Sequence, residues 1–209
     1  MRLASVQVGK PARVGVLRTA FGKLPVAGEV RVGRESLEGD GQADRRYHGG
    51  PDMAVLAYSA DHYPAWREEL AWPSLPLGGF GENLSVEGAG EETACIGDVW
   101  RVGTAKMQVS SPRKPCRKIS DFWGRPELLA LVQRSGRSGW YLRVVEEGAL
   151  AAGAEIALAE RPHPEWTVLR AWQVGIARAR DRDAALELAQ VAALSDRWKA
   201  WLLGQPARV

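Results

Sequence analysis

Over the first two-thirds of this chain, short stretches of β-branched or alternating apolar residues are cut apart repeatedly by glycine or proline. With 23 glycines and 12 prolines in 209 residues, few long helices can form there, and many short strands can. Leu3–Val8, Gly15–Thr19, Val26–Val32 and Ala54–Tyr58 read as strands, and Asp98–Val102, Lys106–Ser110, Trp140–Val145 and Glu155–Ala159 continue the series. Gly103 separates one close pair as a hairpin would. Strands at this spacing predict an antiparallel barrel or sandwich. Two helices interrupt them: Asp61 to about Leu70, with Ser59 as N-cap, and Glu127–Gln133, with Pro126 at its first position.

The period changes after Pro162-His163-Pro164. Asp181 or Asp183 can cap a helix running through Leu186, Ala189, Gln190 and Ala193. Ser195 can cap another, with Trp198, Trp201 and Leu202 on one face and Gly204 at its end. Trp166 to about Ala179 forms a third element of open type. The expectation is a mainly β core over residues 1–161, holding a few helices, and a small helical appendix over 162–209. A chain of this size hides roughly 70% of its unfolded surface, so its core needs no staples.

Charge is segregated. Residues 51–100 hold one cation against nine acids, and residues 101–150 hold ten cations against four acids, although the whole chain nets only +3. A nucleic-acid binder shows a basic stripe without so large an acidic block, so no nucleic-acid partner is expected. No run of 18 apolar residues exists, which argues against a membrane-spanning helix. The amino-terminal residues lack the apolar stretch of a secretory signal, and a cytoplasmic location is the expectation. Two cysteines cannot build a disulfide framework or a four-thiolate zinc site.

Three segments carry chemistry. In Ser110-Ser111-Pro112-Arg113-Lys114-Pro115-Cys116-Arg117-Lys118 a cysteine stands among four cations, which stabilise the thiolate that attacks electrophiles or binds soft metals. A cysteine in such a setting is as often a structural thiol, and a basic run is often just a solvated loop. Gly39-Asp40-Gly41-Gln42-Ala43-Asp44-Arg45-Arg46-Tyr47-His48-Gly49-Gly50-Pro51-Asp52 combines glycines that admit an anion close to the backbone with one histidine able to hydrogen-bond it. In Gly78-Gly79-Phe80-Gly81-Glu82-Asn83-Leu84 the sole asparagine offers both a donor and an acceptor, either to a ligand or to a turn. Cys95, between Ala94 and Ile96, reads as a buried small hydrophobe. Trp100 and Trp140 read as core, and His62 and His163 receive no role.

Taken in order, His48-Gly49-Gly50-Pro51-Asp52, Phe80-Gly81-Glu82-Asn83-Leu84, Ile96-Gly97-Asp98, Val109 to Cys116 and Gly139-Trp140-Tyr141-Leu142-Arg143-Val144 resemble one family over nearly the whole chain. It is the MOSC domain family (molybdenum cofactor sulfurase C-terminal domain), in its stand-alone bacterial YiiM-like branch. The resemblance implies a β-barrel-like fold and a pocket for the molybdenum cofactor (molybdopterin), with the Cys116 thiolate as the protein ligand of molybdenum and the catalytic position. The pterin's phosphate would account for the cations, with Arg113 as its leading partner because a guanidinium binds bidentately. His48, Gly49, Gly50, Asn83, Ser111 and Arg117 are the further cofactor-binding candidates. The chain departs from the family pattern at Met53, commonly Lys, and at Ala154, commonly an acid.

The resemblance further implies an oxidoreductase that reduces N-hydroxylated small molecules, such as hydroxylamino base analogues, as a detoxification. Electrons would come from a separate donor protein, because the chain has neither a dinucleotide fingerprint nor cysteines for an iron–sulfur cluster. Two alternatives stay open: a sulfur carrier holding a Cys116 persulfide, and a non-catalytic anion-binding module. Related domains occur fused to pyridoxal-phosphate enzymes, but no pyridoxal-phosphate lysine site is recognisable here.

Overall fold

The computed structural model describes residues 1–44 and 48–205. Arg45, Arg46 and Tyr47 of the histidine-bearing segment, and the last four residues of the expected helical appendix, lie outside the described residues.

The strands in chain order are β1 (Arg2–Val8), β2 (Ala12–Val14), β3 (Leu17–Thr19), β4 (Leu24–Pro25), β5 (Glu29–Val32) and β6 (Val55–Ser59). They continue with β7 (Leu84–Glu87), β8 (Val99–Val102), β9 (Ala105–Pro112), β10 (Trp140–Glu146), β11 (Gly148–Ala151) and β12 (Ile156–Glu160). Eight of them form one sheet in the order β12-β8-β9-β10-β6-β7-β1-β4. The sheet curls until β1 returns to the run into β12, where Leu3 N–H donates to Ala154 O (2.9 Å) and Ile156 N–H to Met1 O (2.9 Å). The protein is mainly β, a curled half-barrel, and it is not purely antiparallel. β6 and β7 pair in parallel, because the chain between them crosses over through helix α1 (Tyr63–Glu69).

Several element boundaries differ from the sequence reading, each for a local reason. Gly15–Thr19 is half of a hairpin, with Gly15 in its turn and β2 before it. The strand expected from Val26 begins only at Glu29, after Gly28 turns with φ +86°. β7 and β11 were not anticipated, each being only four residues long. Ser59 caps nothing with its hydroxyl, because a 3-10 turn (Ala60–His62) precedes α1. Pro126 sits in the turn before α3 (Leu128–Ser135). A short helix directly after the cysteine loop, α2 (Lys118–Trp123), was not anticipated.

The last fifth is helical as its period suggested: α4 (Val168–Ala177), α5 (Arg182–Ala189) and α6 (Asp196–Leu202). Thr167, Asp181 and Ser195 cap them by accepting from Arg170, Ala184 and Trp198 N–H groups. α5 ends at Ala189 and does not continue to Ala193. These helices share one apolar core with the sheet, which runs from Leu3, Trp100 and Trp140 to Trp172, Leu188 and Trp198. A second cluster, built on Tyr58, Tyr63, Trp66 and Phe80, lies under α1, α2 and α3. Among the described residues no helix is long and apolar enough to cross a membrane.

Candidate functional site

The segment that leaves β9 is held on three sides. Arg113 N–H donates to Gly139 O (2.9 Å), Trp198 Nε1 of α6 donates to Pro112 O (2.9 Å), and Ser195 N–H donates to Ser110 O (2.9 Å). Residues 113–117 therefore emerge from the sheet braced by the helical unit before α2 begins. Ile119 N–H closes the loop on Cys116 O (3.2 Å). Cys116 is partly exposed, and its side chain stands where two cavities meet.

The first cavity is a small chamber of about 100 Å³, lined by Lys23, His48, Asn83, Arg113, Lys118 and Tyr141 among others. The second is larger, about 800 Å³, and its walls include Leu17, Met53, Pro112, Trp198 and Trp201. His48, Met53, Lys114, Cys116, Lys118 and Tyr141 line both.

The electrostatics are asymmetric. Arg113 is only 5% exposed, and among the described residues its guanidinium makes one long hydrogen bond, 3.4 Å to Ser138 O. Among the described residues neither it nor Lys114 nor Lys118 has a carboxylate partner. A buried cation without a counter-ion carries an uncompensated desolvation cost. Such a group fits an anionic guest. Lys114 instead rests on the Trp201 ring (4.3 Å to its centre), with Arg178 over the same ring at 4.3 Å. Burial, with Arg178 nearby, pulls the Lys114 pKa down.

His48 is brought to this site by its glycines. Gly49 and Gly50 have φ +90° and +85°, and a Cβ on Gly49 would come 2.9 Å from Gln42 Oε1. Ser110 Oγ donates to Asp52 O (2.6 Å), and Arg143 pairs with Asp52 (2.9 Å), so the turn after His48 is tied to the sheet. Burial, with Lys118 and Arg113 close by, pushes the His48 pKa down to about 4. The imidazole is neutral at neutral pH and offers one donor and one acceptor.

The remaining candidates separate. Ser111 is buried on β9 and faces the larger cavity. Arg117 is 85% exposed and paired with Asp121 (3.0 Å), at the rim of that cavity. Asn83 touches the small chamber, but the fold already uses its amide. It accepts from Leu56 N–H (3.1 Å) and donates to Gln7 O (3.2 Å) and Asp40 Oδ2 (2.9 Å). Its neighbour Glu82 is fully buried and takes hydrogen bonds from Tyr63, Ser85 and two backbone N–H groups. The glycine-rich bend is thus a hub of the second core cluster.

Sequence reasoning missed Tyr141, the buried ion pair of Lys23 with Asp40, and the cavity wall supplied by Trp198 and Trp201. Lys23 lies far from the other site residues in sequence, and nothing local marked it. Burial lowers its pKa, while Asp40 works against that.

Cys95 lies elsewhere. It is buried in the turn before β8, and burial and the Asp98 carboxylate push its thiol pKa up. Its backbone N–H donates to Asp98 Oδ2 (3.0 Å), and Asp98 is clamped by Arg161 (2.6 Å).

Comparison with known proteins gives the arrangement its relatives. The uncharacterized protein YflK of Bacillus subtilis is 41% identical over 98% of this chain and 94% of its own length. A Gibberella moniliformis protein named Reductase is 36% identical over 90% of this chain, which spans 33% of that protein. The crystal structure of YiiM from Geobacillus stearothermophilus superposes with a TM-score of 0.84 at 32% identity, covering 97% of each chain. The MOSC domain family model matches residues 44–157, and a model described as the YiiM-like, 3-alpha helix domain matches residues 166–202. The chain belongs to the MOSC domain family, in the group that carries the YiiM-like three-helix domain.

Proposed function

We propose that the protein is a molybdenum-cofactor-binding oxidoreductase that reduces N-hydroxylated small molecules with electrons from a separate donor protein. The observation that carries this reading is a partly exposed thiol at the junction of a buried, carboxylate-poor cationic chamber and a large cavity with apolar walls.

The residues fit the cofactor on three counts. Cys116 supplies a soft sulfur ligand. Among the described residues no three His, Cys, Asp or Glu side chains converge, so a metal at Cys116 must bring most of its own ligands, as a dithiolene-bearing pterin does. Arg113, without a carboxylate partner among the described residues, would receive the anionic end of the group together with Lys114 and Lys118, and neutral His48 would hydrogen-bond to it. The small chamber admits only a phosphate-sized end, and the rest would occupy the larger cavity. Gly49 and Gly50 let the backbone approach, and Ser111 and the fold-held Asn83 complete the walls.

When bound, the cofactor supplies two-electron redox chemistry at a thiolate-ligated metal. The chain's own residues bind and orient. Trp198, Trp201, Pro112 and Met53 exclude water from one side of the larger cavity, where the substrate would lie. Met53, in place of a charged residue, keeps this wall apolar. MOSC domains are associated with the molybdenum cofactor, and a relative named as a reductase supports redox chemistry over sulfur carriage.

The test is metal analysis and activity of protein produced in a host that makes the cofactor. About one molybdenum per chain is expected, with donor-dependent reduction of N-hydroxylated compounds, and Cys116→Ser should lose both. A transferable persulfide on Cys116 without any need for molybdenum would establish the sulfur carrier instead. Unchanged anion affinity in Cys116→Ser, with no reductase activity in either form, would establish the anion-binding module.

A further inference from the structure

Trp140 and Leu142 of β10 point into the core, so the pleat turns the intervening Tyr141 to the opposite face. There its side chain lines both cavities, standing opposite Ser111 on β9 and Leu56 on β6. Two other tyrosines show what a committed hydroxyl looks like. Tyr58 Oη donates to Arg137 O (3.2 Å) and accepts from Trp66, and Tyr63 Oη donates to Glu82 (2.6 Å). The Tyr141 hydroxyl has no hydrogen-bond partner among the described residues, although it lies in a cavity wall beside Cys116 and Arg113.

We propose that Tyr141 Oη is the proton donor to the hydroxyl that leaves when the substrate N–O bond is reduced. This inference rests on the reductase reading. In that reading Lys114 and Lys118 hold the anionic end of the cofactor, and the other groups at the junction are neutral or tied elsewhere. His48 is neutral at working pH, Asp40 is tied to Lys23, and Asp121 is tied to Arg117. A phenol ordinarily titrates near ~10, so at neutral pH its hydroxyl carries a proton to give. A neutral O–H with nothing else to donate to is available to a ligand.

The step balances. R–NH–OH takes up two electrons and two protons and yields R–NH2 and water. The N–O bond breaks, and its oxygen accepts the Tyr141 proton and leaves as water. The second proton reaches nitrogen from solvent, and the phenolate regains its proton from water in the larger cavity. The two electrons are those of the separate donor protein.

The experiment compares wild type with Tyr141→Phe, both loaded with cofactor, on two substrates of one scaffold. One carries N–OH, and the other carries an N–O-acyl group that departs as a carboxylate without needing a proton. Calorimetry without an electron donor gives the binding of each. Expected for Tyr141→Phe is a loss on the order of 100-fold in N–OH reduction. The N–O-acyl rate should stay within about threefold of wild type, as should both dissociation constants, since general-acid help is needed only by the poor leaving group. An N–OH rate within that same margin would remove Tyr141 from proton transfer and leave the reductase reading intact. Equal losses on both substrates, or weakened binding that accounts for the loss, would make Tyr141 structural and overturn the proposal. Loaded wild type that reduces neither substrate would overturn the reductase reading, and the tyrosine's role with it.

Discussion

Two cysteines leave two strand-linked turns, and their surroundings are opposites. Around Cys95 every charge is answered: Asp98 takes the Cys95 N–H and is gripped by Arg161, and the thiol faces Thr93 O (3.8 Å) and Pro164 O (3.6 Å). Around Cys116 the balance is left open: among the described residues Arg113, Lys114 and Lys118 have no carboxylate partner, and two cavities meet at the sulfur. The first loop closes a structure. The second leaves room for a guest. The two thiols differ in whether the charge beside them is paired: Asp98 has Arg161, whereas Arg113 has no carboxylate partner among the described residues.

The largest test of this contrast is substitution at each sulfur. Cys116→Ser should lower reduction of N-hydroxylated compounds by more than about 100-fold, whereas Cys95→Ser should leave the turnover rate of the loaded enzyme unchanged and cost about 1 kcal/mol of stability by denaturant titration. Comparable activity losses in the two variants would erase the distinction. Next comes the chamber's cation. Arg113→Ala should weaken cofactor retention by about 10- to 150-fold, the equivalent of about 1.5–3 kcal/mol for one charge-assisted contact. Arg134→Ala, on the exposed face of α3, should change it little. Molybdenum content after dialysis reads both.

Smaller effects sharpen the same contrast. In cofactor-free protein, alkylation should reach Cys116 at least roughly tenfold faster than Cys95, because Cys95 is buried and its thiol pKa is raised. Ending the chain near Arg161 should narrow that gap. It removes Pro164 and Thr167, which cover Cys95, and it should keep the β spectrum while lowering thermal stability. The smallest effect is a pH slope. His48 titrates near 4 when folded against 6.5 when free, so protons bind the unfolded chain more tightly between those values. Its contribution to stability is complete above pH 6.5 and is lost as pH falls toward 4. His48→Gln should flatten the melting temperature over that window in the cofactor-free protein, and an unchanged slope would show His48 to be hydrated.

The sequence showed the Cys116 loop because its chemistry is local: thiol, prolines and cations are adjacent, and the helical period of the last fifth needed no partner to be seen. Other features depend on distant segments. Asn83 carries the same donors and acceptors whether it meets a ligand or Gln7, Leu56 and Asp40, so only the fold tells these apart. The alternation Trp140-Tyr141-Leu142 showed that Tyr141 faces away from its neighbours but not that this face borders a cavity. β7 (Leu84-Ser85-Val86-Glu87) does alternate, but over only four residues directly after the glycine-rich bend, too short a run to stand out as a strand.

The brace from α6 to the cysteine loop also sets an order in time. A chain made from its amino terminus can pair β9 with β10 and present Cys116 long before Ser195 and Trp198 are synthesised. Until α6 emerges, the larger cavity lacks one wall and Pro112 O lacks its indole partner. Any guest that needs the whole pocket would therefore be held only after translation has passed α6, which would make its insertion a late event in the life of each molecule.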